Sequence, residues 1–385
     1  MRVAALPGKS PQVSFRIVFA AGSAADPIDK PGLASLTARL VAGSKLIDHV
    51  GTETTLFRAE TDLPKLHDCY DSLRSAIIAP SWNDEALQRA KQDAIKALDD
   101  LRTNDRNLAS ELLSRTIFDG TLYSHPTAGT ASSLEKITLE DVKDFYHGQY
   151  TQQNLILGVA GGYPSDFLAQ MKRDFQQLPE VSGFRPRNTP LKVLERSRAV
   201  IVRRPGPQAF LTIGFPMIAT PHRSDYAPVL LAASYLNAEV IPGEAENFSL
   251  FELPIGPVEP DNAAAALKKA LASLDELIRN PLPKDRFNAA RNSLIQSLAQ
   301  EEHTEDAKLA DEIASVRYGV PNLHDHLKQD IAKLTPEDLH HIAQRHLRTS
   351  PLVIICLTPD ADALKTQLSP TVQDITVIQV QQLFQ

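Results

Sequence analysis

The sequence predicts an α+β protein built from two homologous domains, and three observations carry that expectation. A block near the end of the first half recurs near the end of the second. Apolar residues switch between helical and strand spacing without a regular strand–helix rhythm, which favours segregated layers over a doubly wound parallel sheet. A stretch rich in Pro and charge divides the chain near its middle, and 385 residues exceed the roughly 150 usual for one domain.

Taken in order, VSFRIVFAAG (13–22) alternates as a strand does, and the helix Gly32–Ala42 follows. LIDHVGTETTLFRAE (46–60) reads as a strand that puts His49 and Glu53 on one face, and LHDCYDSL, which contains Cys69, as helix. EALQRAKQDAIKALDDL (85–101) has helical periodicity. Thr138 is the N-cap of a helix of about three turns, with Asp141 at the capping-box position. An apolar strand, Leu155–Ala160, and a helix, Ser165–Phe175, close the half. Domains are therefore expected at 1–180 and 197–385, joined by a linker at 181–196.

The second half repeats this plan. Residues 332–359 align without a gap on residues 135–162, so that Lys333, Thr335, Glu337 and Asp338 meet Lys136, Thr138, Glu140 and Asp141. Pro336 sits at the first helical position, where its missing N–H costs nothing. The strand Leu352–Leu357 matches Leu155–Ala160. Upstream, DRFNAARNSLIQSLAQE (285–301) parallels 85–101, and AFLTIGFPMI (209–218) parallels the opening strand. A repeat this long marks duplicated domains and not a solenoid.

Composition excludes several classes of function. Hydrophobic residues make up 43% and charged residues 23%, with no apolar run long enough to span a bilayer. The net charge of -7 and pI near 5.9 give no general attraction to nucleic acid. Cys69 and Cys356 allow neither a disulfide framework nor a Cys-based zinc finger. No signal-peptide pattern opens the sequence, which points to the cytoplasm, with the periplasm as the alternative if the N-terminus is truncated. VAGGYPSD (159–166) lacks the residues of a phosphate loop, and no G-x-S-x-G elbow occurs. His324, His326, His340, His341 and His346 read as a solvated face, since His340 and His341 diverge by about 100° on a helix. His49 and Glu53 lack a third partner. Arg196, Arg198, Arg203 and Arg204 border the linker and suit an interdomain or subunit contact.

The strand ending in AAGSAADP, followed by KPGLASLTARL, resembles the opening of the pitrilysin/insulinase-type peptidases. That family includes the mitochondrial processing peptidase and the core proteins of the respiratory cytochrome complex. LQRAKQDAIKALDDLRTND, LYSHPTAGTASSLEKITLEDVKDFYHGQYTQQNLILGVAGG and KDRFNAARNSLIQSL resemble it too, so the similarity spans most of the chain in the right order. The resemblance implies two domains, each a mostly antiparallel sheet packed with helices, forming one half of a clam-like particle.

The same alignment removes the family's chemistry. Its inverted zinc motif, His-x-x-Glu-His, falls on Ser35-Leu36-Thr37-Ala38-Arg39. Ser35 and Arg39 replace the two imidazoles and Ala38 replaces the general base. The third ligand falls on or next to Ala97, and its supporting Glu on Ala90. The Arg…Tyr pair that grips substrate in the second half is missing from 230–254. By resemblance the chain is a non-catalytic subunit of a zinc metallopeptidase complex. It would help an active homologous partner form a peptide-binding chamber, with zinc only in that partner and no cofactor of its own. An edge strand at Val50, Gly51, Thr52, Glu53 and Thr54 would offer backbone hydrogen bonds to an extended peptide. Two alternatives stand beside this: an active zinc metalloendopeptidase whose ligands lie elsewhere, and a purely structural assembly subunit like the respiratory core proteins.

Overall fold

The computed structural model describes residues 1–43, 46–180, 194–243, 248–300 and 304–384. Most of the sequence-predicted linker, 181–193, lies outside the described residues. In chain order the first half contains β1 (Arg2–Pro7), β2 (Gln12–Phe19), α1 (Leu33–Ala42), β3 (Ile47–Val50), β4 (Thr55–Asp62), α2 (Leu66–Ile78), α3 (Asp84–Thr103), α4 (Asp105–Ile117), α5 (Ala131–Lys136), α6 (Leu139–Gln149), β5 (Leu155–Gly161) and α7 (Phe167–Phe175). The second half contains β6 (Arg198–Arg203), β7 (Ala209–Met217), α8 (Tyr226–Leu236), β8 (Glu239–Pro242), β9 (Ser249–Val258), α9 (Ala263–Arg279), α10 (Lys284–Gln300), α11 (Glu305–Tyr318), α12 (Leu323–Lys333), α13 (Pro336–His346), β10 (Val353–Thr358), α14 (Ala361–Leu368) and β11 (Asp374–Gln379).

The two halves share one plan, as the repeat predicts. The first sheet has the order β1-β5-β2-β4-β3 and the second β11-β6-β10-β7-β9-β8. Placing β6 on β1, β10 on β5, β7 on β2, β9 on β4 and β8 on β3 makes the orders identical, with β11 added at one edge. Each sheet is mixed but mostly antiparallel: β1 runs parallel to β5, and β6 parallel to both β10 and β11. The capping boxes are present in both copies. Thr138 N–H donates to Asp141 Oδ2 at 2.8 Å and Asp141 N–H to Thr138 Oγ1 at 3.2 Å. Thr335 and Asp338 exchange the same bonds at 2.9 and 3.1 Å. β5 and β10 are buried along their whole lengths, which explains why both read as unbroken apolar runs.

By packing, the chain falls into two compact units, and neither is continuous in sequence. One comprises residues 1–98, 125–187 and 298–326; the other comprises 99–124, 188–297 and 327–385. The reason is reciprocal placement of one helix pair. α11 lies on β1, β5 and β2, while α4 lies on β7 and β10. In the first unit Leu309 and Ile313 of α11 join Ala4, Val18, Ile156 and Ala160 in one apolar cluster. Gly158 lets α11 approach: a Cβ there would come within 2.9 Å of Ile313 and 2.7 Å of the Arg16 carbonyl. Asp306 fixes the helix start, accepting from Arg16 Nε and Nη2 at 2.8 and 2.7 Å and from Arg58 at 3.2 Å. In the second unit the polarity is reversed. Glu252 of β9 is the acid, taking Ser110 Oγ of α4 at 2.7 Å and Thr212 Oγ1 at 3.2 Å.

The stretch 46–60 departs from the single strand expected. It is a hairpin of β3 and β4, because Gly51 N–H turns back to the Thr54 carbonyl at 2.8 Å. His49 and Glu53 therefore do not share a strand face. No helix among the described residues is long and apolar enough to cross a membrane.

Candidate functional site: a helix without metal ligands and an adjacent sheet edge

The helix that the resemblance assigns to metal binding is α1. Gly32 begins it at φ 93°, and a Cβ there would sit 2.8 Å from the Gly129 backbone, so only glycine fits. Asp26 anchors the first turn: its two carboxylate oxygens accept from Gly32 N–H and Ala34 N–H, each at 2.7 Å. Burial pushes the Asp26 carboxyl up to about 8, against these backbone donors, which favour the charged form. Gly43, at φ 59°, ends the helix. Along it Leu33, Ala34, Leu36, Thr37, Ala38, Val41 and Ala42 are buried, and the helix packs on α6, β3 and α2.

Ser35 and Arg39, four residues apart, are half-buried one turn along the same face. Ala38 beside them is 0% exposed, and Ala97 is half-buried on α3. Arg39 Nε is buried and makes no hydrogen bond with the described residues. These residues do not fit a zinc ion. A guanidinium carries no lone pair to donate and repels a dication, while alanine carries no donor atom. Among the described residues no group of three or more His, Cys, Asp or Glu side chains is placed to hold a metal.

The predicted peptide edge is divided by the hairpin turn. β3 is the edge strand of its sheet and Val50 is its last residue. Gly51, Thr52, Glu53 and Thr54 form the turn, and its backbone is engaged internally. Ser23 N–H donates to the Gly51 carbonyl at 3.1 Å and Ala24 N–H to the Thr52 carbonyl at 2.8 Å. Glu53 is 6% exposed and lies 3.7 Å from Arg317 Nη2. Of the predicted stretch, only Val50 lies on the edge strand β3 (Ile47–Val50).

Other singled-out residues are accounted for by structure. His346 is buried, contrary to the solvated face expected, and its Nε2 lies 2.9 Å from Asp225 Oδ2 at the start of α8. Burial holds its imidazole below the ordinary histidine range despite that carboxylate. His324 lies 3.6 Å from Asp311. Arg196 and Arg198 face Asp374 at 3.7 and 3.3 Å, Arg203 bonds Asp362, and Arg204 meets Asp105, so the basic cluster serves the second unit internally. Cys356 is fully buried in β10, where burial pushes its thiol far up. Asp26 escaped the sequence reading. Its only signal is an acid shortly before a Pro-Gly that opens a helix.

A sequence profile described as the peptidase M16 inactive domain matches residues 136–252. A Streptomyces coelicolor protein described as an uncharacterized zinc protease is 21% identical over 345 residues, covering 80% of this chain and 74% of its own. A crystal structure of a peptidase M16 inactive domain from Pseudomonas fluorescens superposes with a TM-score of 0.80 at 18% identity, covering 93% of this chain and 95% of that one. A chain of complex III2 from Candida albicans superposes with a TM-score of 0.76 at 15% identity, covering 95% and 97%. The chain therefore has the fold of M16-like peptidase structures, residues 136–252 match the M16 inactive-domain profile, and its sequence contains no His-x-x-Glu-His.

Proposed function

We propose that this chain is the non-catalytic subunit of a zinc metallopeptidase complex, pairing with an active homologue so that the two enclose a peptide chamber. The observation that carries this is α1 itself. It keeps its anchor at Asp26, its glycine boundaries and its buried face, yet presents Ser35, Ala38 and Arg39 where metal chemistry would need imidazoles and a carboxylate. A fold retained without its catalytic side chains fits a role in shape and binding. In this reading Ile47–Val50 offers an open edge to an extended peptide, and zinc resides only in the partner.

The test is co-expression with a homologue that carries an intact motif. The expected result is a stable hetero-oligomer that hydrolyses peptides, with zinc stoichiometric to the partner alone. Hydrolysis by this chain in isolation, abolished by chelation, would instead establish the active-enzyme reading. A second reading, pure assembly without peptide contact, is favoured by the likeness to a chain of complex III2. Crosslinking of an extended peptide to β3 in the hetero-oligomer separates the two.

A further inference from the structure

The second compact unit contains a cavity of about 460 Å³ that takes no part in the site described above. It lies where the end of α8, the outer stripe of α9 and the first turn of α10 meet. Helical spacing sets the stripe: Lys269, Ala272, Ser273 and Glu276 fall on one face of α9, and all four are exposed. Ala272 and Ser273 are too short to fill the space between their neighbours. The face is therefore hollow between Lys269 and Glu276, which stand about 10 Å apart along the helix axis. Leu277 and Leu282, both buried, form an apolar floor. Tyr235 and Asn237 line the wall supplied by α8, which Asn237 ends at φ 55°.

The charges of the cavity do not cancel. Lys269 and Arg286 supply two positive charges against the one negative charge of Glu276. The acids of α9 beside them are engaged: Asn280 Nδ2 donates to Glu276 Oε1 at 3.0 Å, and Arg279 Nε lies 2.7 Å from Asp275 Oδ2. Arg286 is the third residue of α10, whose first N–H groups lack an intrahelical acceptor and add positive potential. The cavity therefore favours an anion. A hydrocarbon chain ending in a carboxylate would suit the floor and the cations. It would also press apolar surface on Glu276, Asn237 and Ser273 and take their water without replacing its hydrogen bonds. A peptide end satisfies every group. Its terminal carboxylate meets the cations, its last side chain meets the leucines, and its amides meet Glu276, Asn237 and Ser273.

We propose that this cavity binds the C-terminal end of a peptide whose last residue is aliphatic, with the carboxylate held by Lys269 and Arg286. The site involves neither α1 nor β3 and does not depend on the function proposed above.

The test titrates the full chain calorimetrically with N-acetyl-Ala-Ala-Leu and with the same peptide ending in an amide. The free acid should bind, and the amide should bind about tenfold more weakly, the scale of one hydrogen bond to a charged group. R286Q should weaken binding of the acid about tenfold and leave that of the amide unchanged, a split that a merely structural role for Arg286 would not produce. Ser273 is exposed, so S273W should keep the wild-type urea midpoint while filling the cavity, and binding of the acid should be lost. Octanoate has the carboxylate and the apolar chain but no amides, and at equal concentration it should not displace the peptide. Binding that survives S273W lies elsewhere and overturns the proposal. So do equal affinities for acid and amide, displacement by octanoate at equal concentration, and absence of binding by the acid.

Discussion

At the scale of single residues, α1 carries no set of metal-binding side chains, and its packing would resist their introduction. Ala38, which the family resemblance would put at the general base, is wholly enclosed. A38E would bury a carboxylate without a partner and should lower stability by roughly 3 kcal/mol, read as a fall in the urea midpoint. Asp26 makes a prediction with a definite sign. Its carboxyl moves from 3.8 to about 8 on folding, so across that range the native state holds a proton that the unfolded chain releases. Its contribution is complete below the lower value and is lost as pH rises through the upper one. D26N cannot titrate, and its amide nitrogen cannot accept a backbone N–H, so it should cost about 1–2 kcal/mol. The difference from wild type should be larger at pH 5 than at pH 8, measured by urea unfolding at both. That Ser35, Ala38 and Arg39 carry neither imidazole nor carboxylate is plain in the sequence. Asp26 was hidden because an acid six residues before its first donor, Gly32 N–H, leaves no spacing signature, and the turn at Gly51–Thr54 was hidden because strand alternation on both sides runs through it.

At the scale of elements, capping chemistry was legible and partnership was not. Thr138 with Asp141 and Thr335 with Asp338 announce two helix starts through local rules that need no tertiary context. The apolar stripe on α11 tells that one face is buried, but the same stripe would fit either sheet. What selects the sheet is a long-range set: Asp306 between Arg16 and Arg58 on one side, Ser110 against Glu252 on the other. D306A should leave two half-buried guanidinium groups without their carboxylate and cost about 2 kcal/mol, less than a fully buried pair because water reaches both. Its unfolding midpoint against that of wild type checks this. G158A tests the close approach of α11. Its methyl group would meet the Arg16 carbonyl and Ile313 below van der Waals distance, so a loss of about 1–3 kcal/mol is expected from the same assay.

At the scale of the whole molecule, the duplicated plan was readable because long gapless matches survive where helix caps and buried central strands recur together. β11 has no counterpart among the described residues of the first half, and the reciprocal placement of α4 and α11 left no trace in a repeat that aligns each helix with its own twin. The purified chain should hold well under one zinc per molecule after dialysis and cleave no peptide, as metal analysis and a fluorogenic peptide assay would show. The reciprocity of α4 and α11 has a mechanical meaning. Each compact unit borrows one helix from the far half of the polypeptide, so each depends on both halves for a complete core. A protease that cuts once between 181 and 193 would therefore release nothing. Two fragments would migrate separately in denaturing gels yet elute as one species under native conditions, each stitched to the other through a borrowed helix. Produced separately, either fragment should be unfolded or aggregated, and folding should return only on mixing.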